Sequence, residues 1–341
     1  MAKDLVSTAV AQPAWIDSLT DRLAESLDRL CVYGMAVGLA LWLLVGWGIE
    51  KLGHHFERAL LQAIGSVFWY VGLIVVALLF LRWIGYMVSP RMATLLDREV
   101  GAYFLSPIAY LVLIGMLVVN LINFWQLVTE LHQVRLEAVG EASPVISFIS
   151  YNLWFWLGML FVIPVITMRL LAEEKRSGTI EVLMTAPVTE MQVVLAKFFA
   201  SLLFYCLAIG PSALFLLVLR GAGKFEFEML PVVAVYLGTF TIGAMFLSVG
   251  LFFSSLTRNQ IIAAMLTFAA LMILFSTFVL DFFAPRLGAD WAKVVKYIAV
   301  LGHLGELGKG KMDLKFLLFH LSVVIFMLFV TVKVVEARKW R

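Results

Sequence analysis

Glu173, Glu174, Lys175 and Arg176 set two carboxylates against two cations in four consecutive positions, and Ser177, Gly178, Thr179 and Glu181 follow at once. Such a cluster can ion-pair, cap a helix and turn the chain. It holds no nucleophile beside a base and no metal-ligand spacing, so its chemistry is recognition rather than bond-making. Ile180, Val182, Leu183, Met184 and Val188 bring apolar side chains that a solvated connector would not need. Two readings account for them: docking on a partner protein, or lying along lipid.

Other groups that resemble chemistry fail on inspection. A phosphate-binding loop needs a glycine five residues before its Gly-Lys pair and a Ser or Thr after the lysine to hold Mg²⁺. Around Gly223-Lys224 those positions are Val218 and Phe225, so Gly221–Lys224 reads as a turn and the chain encodes no ATP site. His54 and His55, with Glu50 and Glu57, read as a solvated loop. His303 and Glu306 are three apart, but Gly302, Gly305 and Gly308 around them predict an irregular loop. No Gly-x-Ser-x-Gly elbow, intramembrane aspartate pair or His-Glu-x-x-His is present. Cys31 and Cys206 both lie in apolar runs, which excludes a disulfide framework. The expectation is a non-catalytic chain with no cofactor or metal of its own.

The elements that must position the charged cluster are membrane helices. Of 341 residues, 62% are hydrophobic and 14% charged, against about 25% charged in soluble domains. The net charge of +3, with no basic cluster, gives no argument for nucleic acid. Apolar runs recur near 30–49, 63–84, 107–129, 148–168, 198–219, 231–253, 260–280 and 316–335. Each approaches the roughly 20 residues a helix needs to cross a bilayer, and none alternates as a barrel strand would. The fold class is therefore all-α, a polytopic integral membrane bundle of about eight spans. Both termini fall on one side, and a modest excess of Lys and Arg makes that side cytosolic.

Short segments between the spans carry more information. Trp15–Leu30 has one apolar stripe and reads as an interfacial amphipathic helix. In Pro90–Ser106, Met92, Leu95, Leu96, Val100, Tyr103 and Phe104 form a stripe away from Arg91, Asp97, Arg98 and Glu99, ahead of Pro107. That is an interfacial helix, or a plain linker helix. Gly178 and Pro187 bracket a short helix with Ser177 or Thr179 as N-cap, and Thr189 caps a second with Gln192 as its capping-box partner. The chain then returns through Lys197. Inside the spans, Asn120, Asn123 and Gln126 share one face and either hydrogen-bond between helices or line a substrate path. His320 reads as a satisfied packing residue, and Gly243 with Ala244 and Ser248 as a tight-packing face.

At these residues the sequence resembles a permease subunit of the type-2 ABC transporter superfamily, in particular the gliding-motility permease family. Arg98–Tyr110, Glu173–Lys175 with Gly178–Glu181 and Ala186–Val188, Ser254–Gln260, and Lys309-Gly310 with Met312-Asp313 resemble its motifs, in order, over residues 95–341. The resemblance implies a six-helix core at 90–341 with an elbow helix at 90–106 and a coupling segment at 172–190. Residues 1–29 would be a cytosolic amphipathic helix and 30–89 two additional spans. Glu173, Glu174, Lys175, Gly178, Thr179, Ile180, Glu181, Leu183, Met184 and Pro187 would then meet an ABC ATP-binding subunit that carries ATP and Mg²⁺. Further implied partners are a second permease copy or paralogue, an auxiliary membrane subunit and the lipid bilayer. The site would be the bacterial inner membrane, and the job export. The rival reading is a non-transporting membrane scaffold of a motility or secretion complex.

Overall fold

The computed structural model describes residues 90–137, 152–179, 188–221, 229–283, 295, 297–308 and 313–337. The expected N-terminal helix and both N-terminal spans, residues 1–89, lie outside the described residues. So do Ile180, Glu181, Leu183, Met184 and Pro187 of the expected coupling segment.

Regular structure among the described residues is helical: α1 (Pro90–Phe104), α2 (Pro107–Glu137), α3 (Leu153–Thr167), α4 (Ala172–Ser177), α5 (Glu190–Gly221), α6 (Met229–Leu256), α7 (Gln260–Phe283), α8 (Val300–Gly308) and α9 (Leu314–Glu336). Six stretches among them are long and apolar enough to cross a membrane: α2, α3 continued through α4, α5, α6, α7 and α9. These correspond to the six core spans expected from the sequence.

Small polar residues start the helices. Asn152 Oδ1 accepts from Trp154 N–H at 3.0 Å, Asn259 Oδ1 from Ile261 N–H at 2.9 Å, and Asp313 Oδ1 from Lys315 N–H at 3.3 Å. Thr189 and Gln192 form the reciprocal box read from their spacing. Thr189 N–H donates to Gln192 Oε1 at 3.0 Å, and Gln192 N–H to Thr189 Oγ1 at 3.3 Å. Each cap satisfies backbone donors that a helix start leaves open. Helix α5 then runs for 32 residues without interruption, about 48 Å. The expected return at Lys197 and the following span are thus one helix, which overshoots a hydrocarbon core of about 30 Å.

Helix α6 is the centre, packed by α3, α5, α7, α8 and α9. Its Ile242, Leu247 and Leu251 are completely buried. Two glycines on α6 allow close approach: a Cβ at Gly243 would collide with the Tyr205 ring, and one at Gly250 with Thr167. The outward faces of α2, α7 and α9 are apolar, with Leu111, Ile114, Met265, Ile273, Ile325 and Phe329 exposed. In a bilayer such faces meet lipid or another span.

One expectation is corrected. Residues 300–308 are not an irregular loop but helix α8. Leu304 and Leu307 are buried completely, and that apolar packing against α6 outweighs the low helix propensity of three glycines. His303 is consequently buried on the same helix. Its Nδ1 lies 3.2 Å from His320 Nε2, and His320 Nδ1 lies 3.0 Å from Thr241 Oγ1. His320 is thus a packing residue with hydrogen-bond partners.

Candidate functional site

The charged cluster sits where α1, α4 and the first turns of α5 converge. Helix α1 buries Met92, Leu95 and Leu96 of its expected stripe together with Ala93, while Phe104 at its end is exposed. Leu95 packs on Val193 and Ala196 of α5, with Val188 alongside. At the other end of α1, Tyr103 stacks on Phe204 with ring centroids 4.9 Å apart and donates to the Ile166 carbonyl at 3.2 Å. Burial, reinforced by the Glu99 carboxylate, pushes the Tyr103 phenol far above its ordinary value, so it remains a donor. Helix α1 is therefore bound to both α3 and α5.

Lys197 is the hub. Its side chain is 3% exposed, and its ammonium lies 2.9 Å from Glu99 Oε2 and 2.8 Å from Glu174 Oε1. Arg98 completes the ring at 2.7 Å from Glu99 and 3.4 Å from Glu174. Two acids and two bases from α1, α4 and α5 thus form one closed network. A lysine this buried is tolerable only because two carboxylates face it. Beside the ring, Arg169 pairs with Glu173 at 2.8 Å and donates to Ser106 Oγ. Glu174 Oε2 is buried and finds no hydrogen-bond partner among the described residues.

A second device fixes α4. The chain breaks between α3 and α4, and the N-cap residue of α4, Leu171, has no side-chain cap of its own. Ser254, at the end of α6, supplies one. Its Oγ accepts from Leu171 N–H and Ala172 N–H, both at 3.1 Å, and donates to the Met168 carbonyl at 3.3 Å. One step on, the Lys175 ammonium donates to the Ser255 carbonyl. Beneath this joint, Thr167 Oγ donates to the Ile163 carbonyl at 2.9 Å, against the space Gly250 leaves. Helix α4 is therefore tied to α6 on one side and, through Glu174, to α1 and α5 on the other.

The structure brings Glu173, Glu174 and Lys175 together on α4. Gly178 takes a part that the sequence did not reveal. It ends α4 as its C-cap at φ +75°, a left-handed conformation natural to glycine; the short helix expected between Gly178 and Pro187 falls on residues 180–187, outside the described residues. Ser177 is the last residue of α4. Its hydroxyl donates back to the Glu173 carbonyl at 2.9 Å and lies 2.9 Å from Thr179 Oγ1. The four-residue charge cluster satisfied helix criteria on its own, acids first and bases last, and that signal for α4 was missed.

Asn120 and Asn123 are buried between helices, and Asn120 Nδ2 donates to the Ala208 carbonyl of α5 at 3.2 Å. Gln126 Oε1 accepts from Asn152 Nδ2 at 2.9 Å. These contacts join α2 to α5 and to the start of α3. Sequence reasoning missed Arg98, Glu99, Lys197 and Ser254 as parts of one site. Two faint signals pointed to them: a lysine inside an otherwise apolar helix, and a serine at the start of the stretch Ser254–Gln260.

A family model described as ABC-2 family transporter protein matches residues 66–293. The match starts within the second expected N-terminal span, ahead of residue 95, and stops before α9. No curated protein and no solved structure matches the chain.

Proposed function

The chain belongs to the ABC-2 transporter family, and from that premise we propose that the α1–α4–α5 charge ring is the yoke through which an ATP-binding subunit moves this permease. As a family member the chain is a multi-pass membrane permease component of an ABC transporter, a class that works with an ATP-binding subunit. In our reading the segment 172–190 meets that subunit. Glu173, Glu174, Lys175, Gly178, Thr179, Ile180, Glu181, Leu183, Met184 and Pro187 are its contact and hinge residues. The carrying observation is Lys197, which holds Glu99 of α1 and Glu174 of α4 at 2.9 and 2.8 Å. A push on α4 then cannot leave α1 or α5 behind.

The fuller reading follows the family resemblance. Two permease halves, this chain with a copy or a paralogue, stand in the bacterial inner membrane with both termini cytosolic and export an amphipathic cargo. Asn120 and Gln126 serve helix packing, because their amides bond to α5 and to the start of α3, and Asn123 is buried beside them.

Co-purification with the ATP-binding subunit, followed by ATPase measurement in nanodiscs, tests the reading. The double variant Leu183→Asp/Met184→Asp is expected to insert normally but lose the bound ATPase subunit. Undiminished capture and ATPase activity by that variant would overturn the assignment and favour a scaffold.

A further inference from the structure

Between α1, α2 and α3 the fold leaves a cleft of about 310 Å³, at the small end of the roughly 300–1,000 Å³ typical of ligand pockets. Its wall is divided. One end is charged: Arg98, Glu99, Arg169, Glu173, Glu174 and Lys197. The other is apolar: Ile108, Ala109, Val112, Val165, Ile166 and Phe204. A shallower hollow of about 550 Å³ shares Ser106, Ile108, Arg169 and Glu173 with it and extends to Leu105 and Gln260. The division falls at the start of α2, the first residues of a helix long and apolar enough to cross a membrane.

We propose that this cleft binds the headgroup and upper chain of a zwitterionic glycerophospholipid. Three observations choose that occupant. The charged wall balances, three cations against three acids, so it rewards a ligand carrying both signs more than one with a net charge. The half-open members of the wall are Arg98 at 52%, Arg169 at 35% and Glu173 at 46% side-chain exposure. Two guanidiniums suit a phosphate by bidentate donation, and the carboxylate beside them suits an ammonium. Finally, the apolar end is continuous with lipid-facing side chains, since Ile108 is 43% and Leu111 73% exposed. A protein helix, about 10–12 Å across with its side chains, is too wide for the space. A single acyl chain is not.

The lipid would fill the angle between the yoke and the first span, touching Arg98 and Glu173 without breaking the Lys197 pairs. Bilayer composition would thereby reach the same charges that link α1 to α4. The binding step needs only the membrane embedding that the family establishes, not the ATP-coupled role proposed above.

The test uses the full chain in nanodiscs made from equal parts phosphatidylethanolamine, phosphatidylcholine and phosphatidylglycerol. After mild detergent extraction, retained lipid is counted by native mass spectrometry. The zwitterionic lipids are expected to be retained about ten-fold over phosphatidylglycerol. Ile108→Trp, at an exposed position on the cleft wall, and Arg98→Gln/Arg169→Gln should each abolish that excess. Soluble glycerophosphoethanolamine should fail to displace the bound lipid, because it lacks the chain that occupies the apolar end. Retention without headgroup preference, a preference for phosphatidylglycerol, unchanged retention in Ile108→Trp, or displacement by the soluble headgroup would each overturn the proposal. No nucleotide enters the assay, so its failure is separable from failure of the coupling reading.

Discussion

Replacing Ser254 by alanine isolates the joint between α3 and α4. The hydroxyl has one proton and two lone pairs to offer, and all are in use: two N–H groups donate to it at 3.1 Å and it donates to a carbonyl at 3.3 Å. Leu171, Ala172 and Ser254 are each 0% exposed, so water cannot step in. Ser254→Ala therefore strands two buried backbone donors. Each costs about 1–3 kcal/mol. Relaxation of the short α4 recovers part of the sum, which leaves about 2–4 kcal/mol of local destabilisation. The loss falls on α4 rather than on the whole bundle, so amide hydrogen exchange is the suitable readout. At a factor of ten per 1.4 kcal/mol, exchange across residues 168–176 should accelerate about 30- to 700-fold. Peptides from α9, which makes no contact with this joint through Ser254, should not change. Exchange in 168–176 within about three-fold of the parent would refute the reasoning, because a saturated buried hydroxyl cannot be removed at no cost.

Three further substitutions address other parts of the site. Lys197→Met should lower stability by about 3 kcal/mol, the low end of the range for breaking a buried pair, since Arg98 still faces both carboxylates. The isosteric set Lys197→Met/Glu99→Gln/Glu174→Gln should recover most of that loss in thermal unfolding, and no recovery would show that the charges themselves are not the cause. Gly178→Ala should cost about 1 kcal/mol through the left-handed backbone alone, with Gly178→Asn costing less, because nothing lies within 4 Å of an added Cβ; equal midpoints for all three would contradict the observed φ. Asn120→Leu should shift stability by less than about 1 kcal/mol, since its one bond to Ala208 is of the modest kind found between membrane helices, and a much larger loss in unfolding would mean the amide holds more than that bond.

The six described spans and helix α1 were legible because apolar length and stripe spacing are local properties. The Thr189–Gln192 box was legible for the same reason, as it closes within four residues. The charge ring was not. Its members are 98 and 23 residues apart along the chain, and only packing of α1 on α5 brings them together. Ser254 is 83 and 82 residues from the two amides it caps, so no local pattern links them. Glu99 was placed only as lying away from the apolar stripe of α1, and it is this side chain that meets Lys197. At 300–308 local reasoning erred in the opposite sense: three glycines argued against a helix that burial of Leu304 and Leu307 enforces.

Placing charges at this joint solves a problem that apolar packing leaves open. Lipid tails are as apolar as leucine, so burial alone gives α1 little preference for one register on α5 over another. A slide by one turn, about 5.4 Å, keeps apolar side chains on the buried face because the stripe repeats at that spacing. The same slide carries Glu99 from 2.9 Å to about 6 Å from the Lys197 ammonium. At an effective dielectric of about 20 the attraction falls by about half, a loss of about 3 kcal/mol. Register is thus set by the pair, and Glu174 sets α4 against the same ammonium. One cation serving two acids has a consequence that a simple pair lacks. Exchanging the partners, Glu99→Lys with Lys197→Glu, restores opposite charges between α1 and α5 but turns a second carboxylate toward Glu174. The exchange should therefore fail to recover the stability lost in Lys197→Met, although it preserves the charge total, and α4 should exchange amide protons faster than in the neutral triple variant. Full recovery by the exchange would mean that Lys197 serves Glu99 alone and that α4 is held by Ser254 without help from the ring.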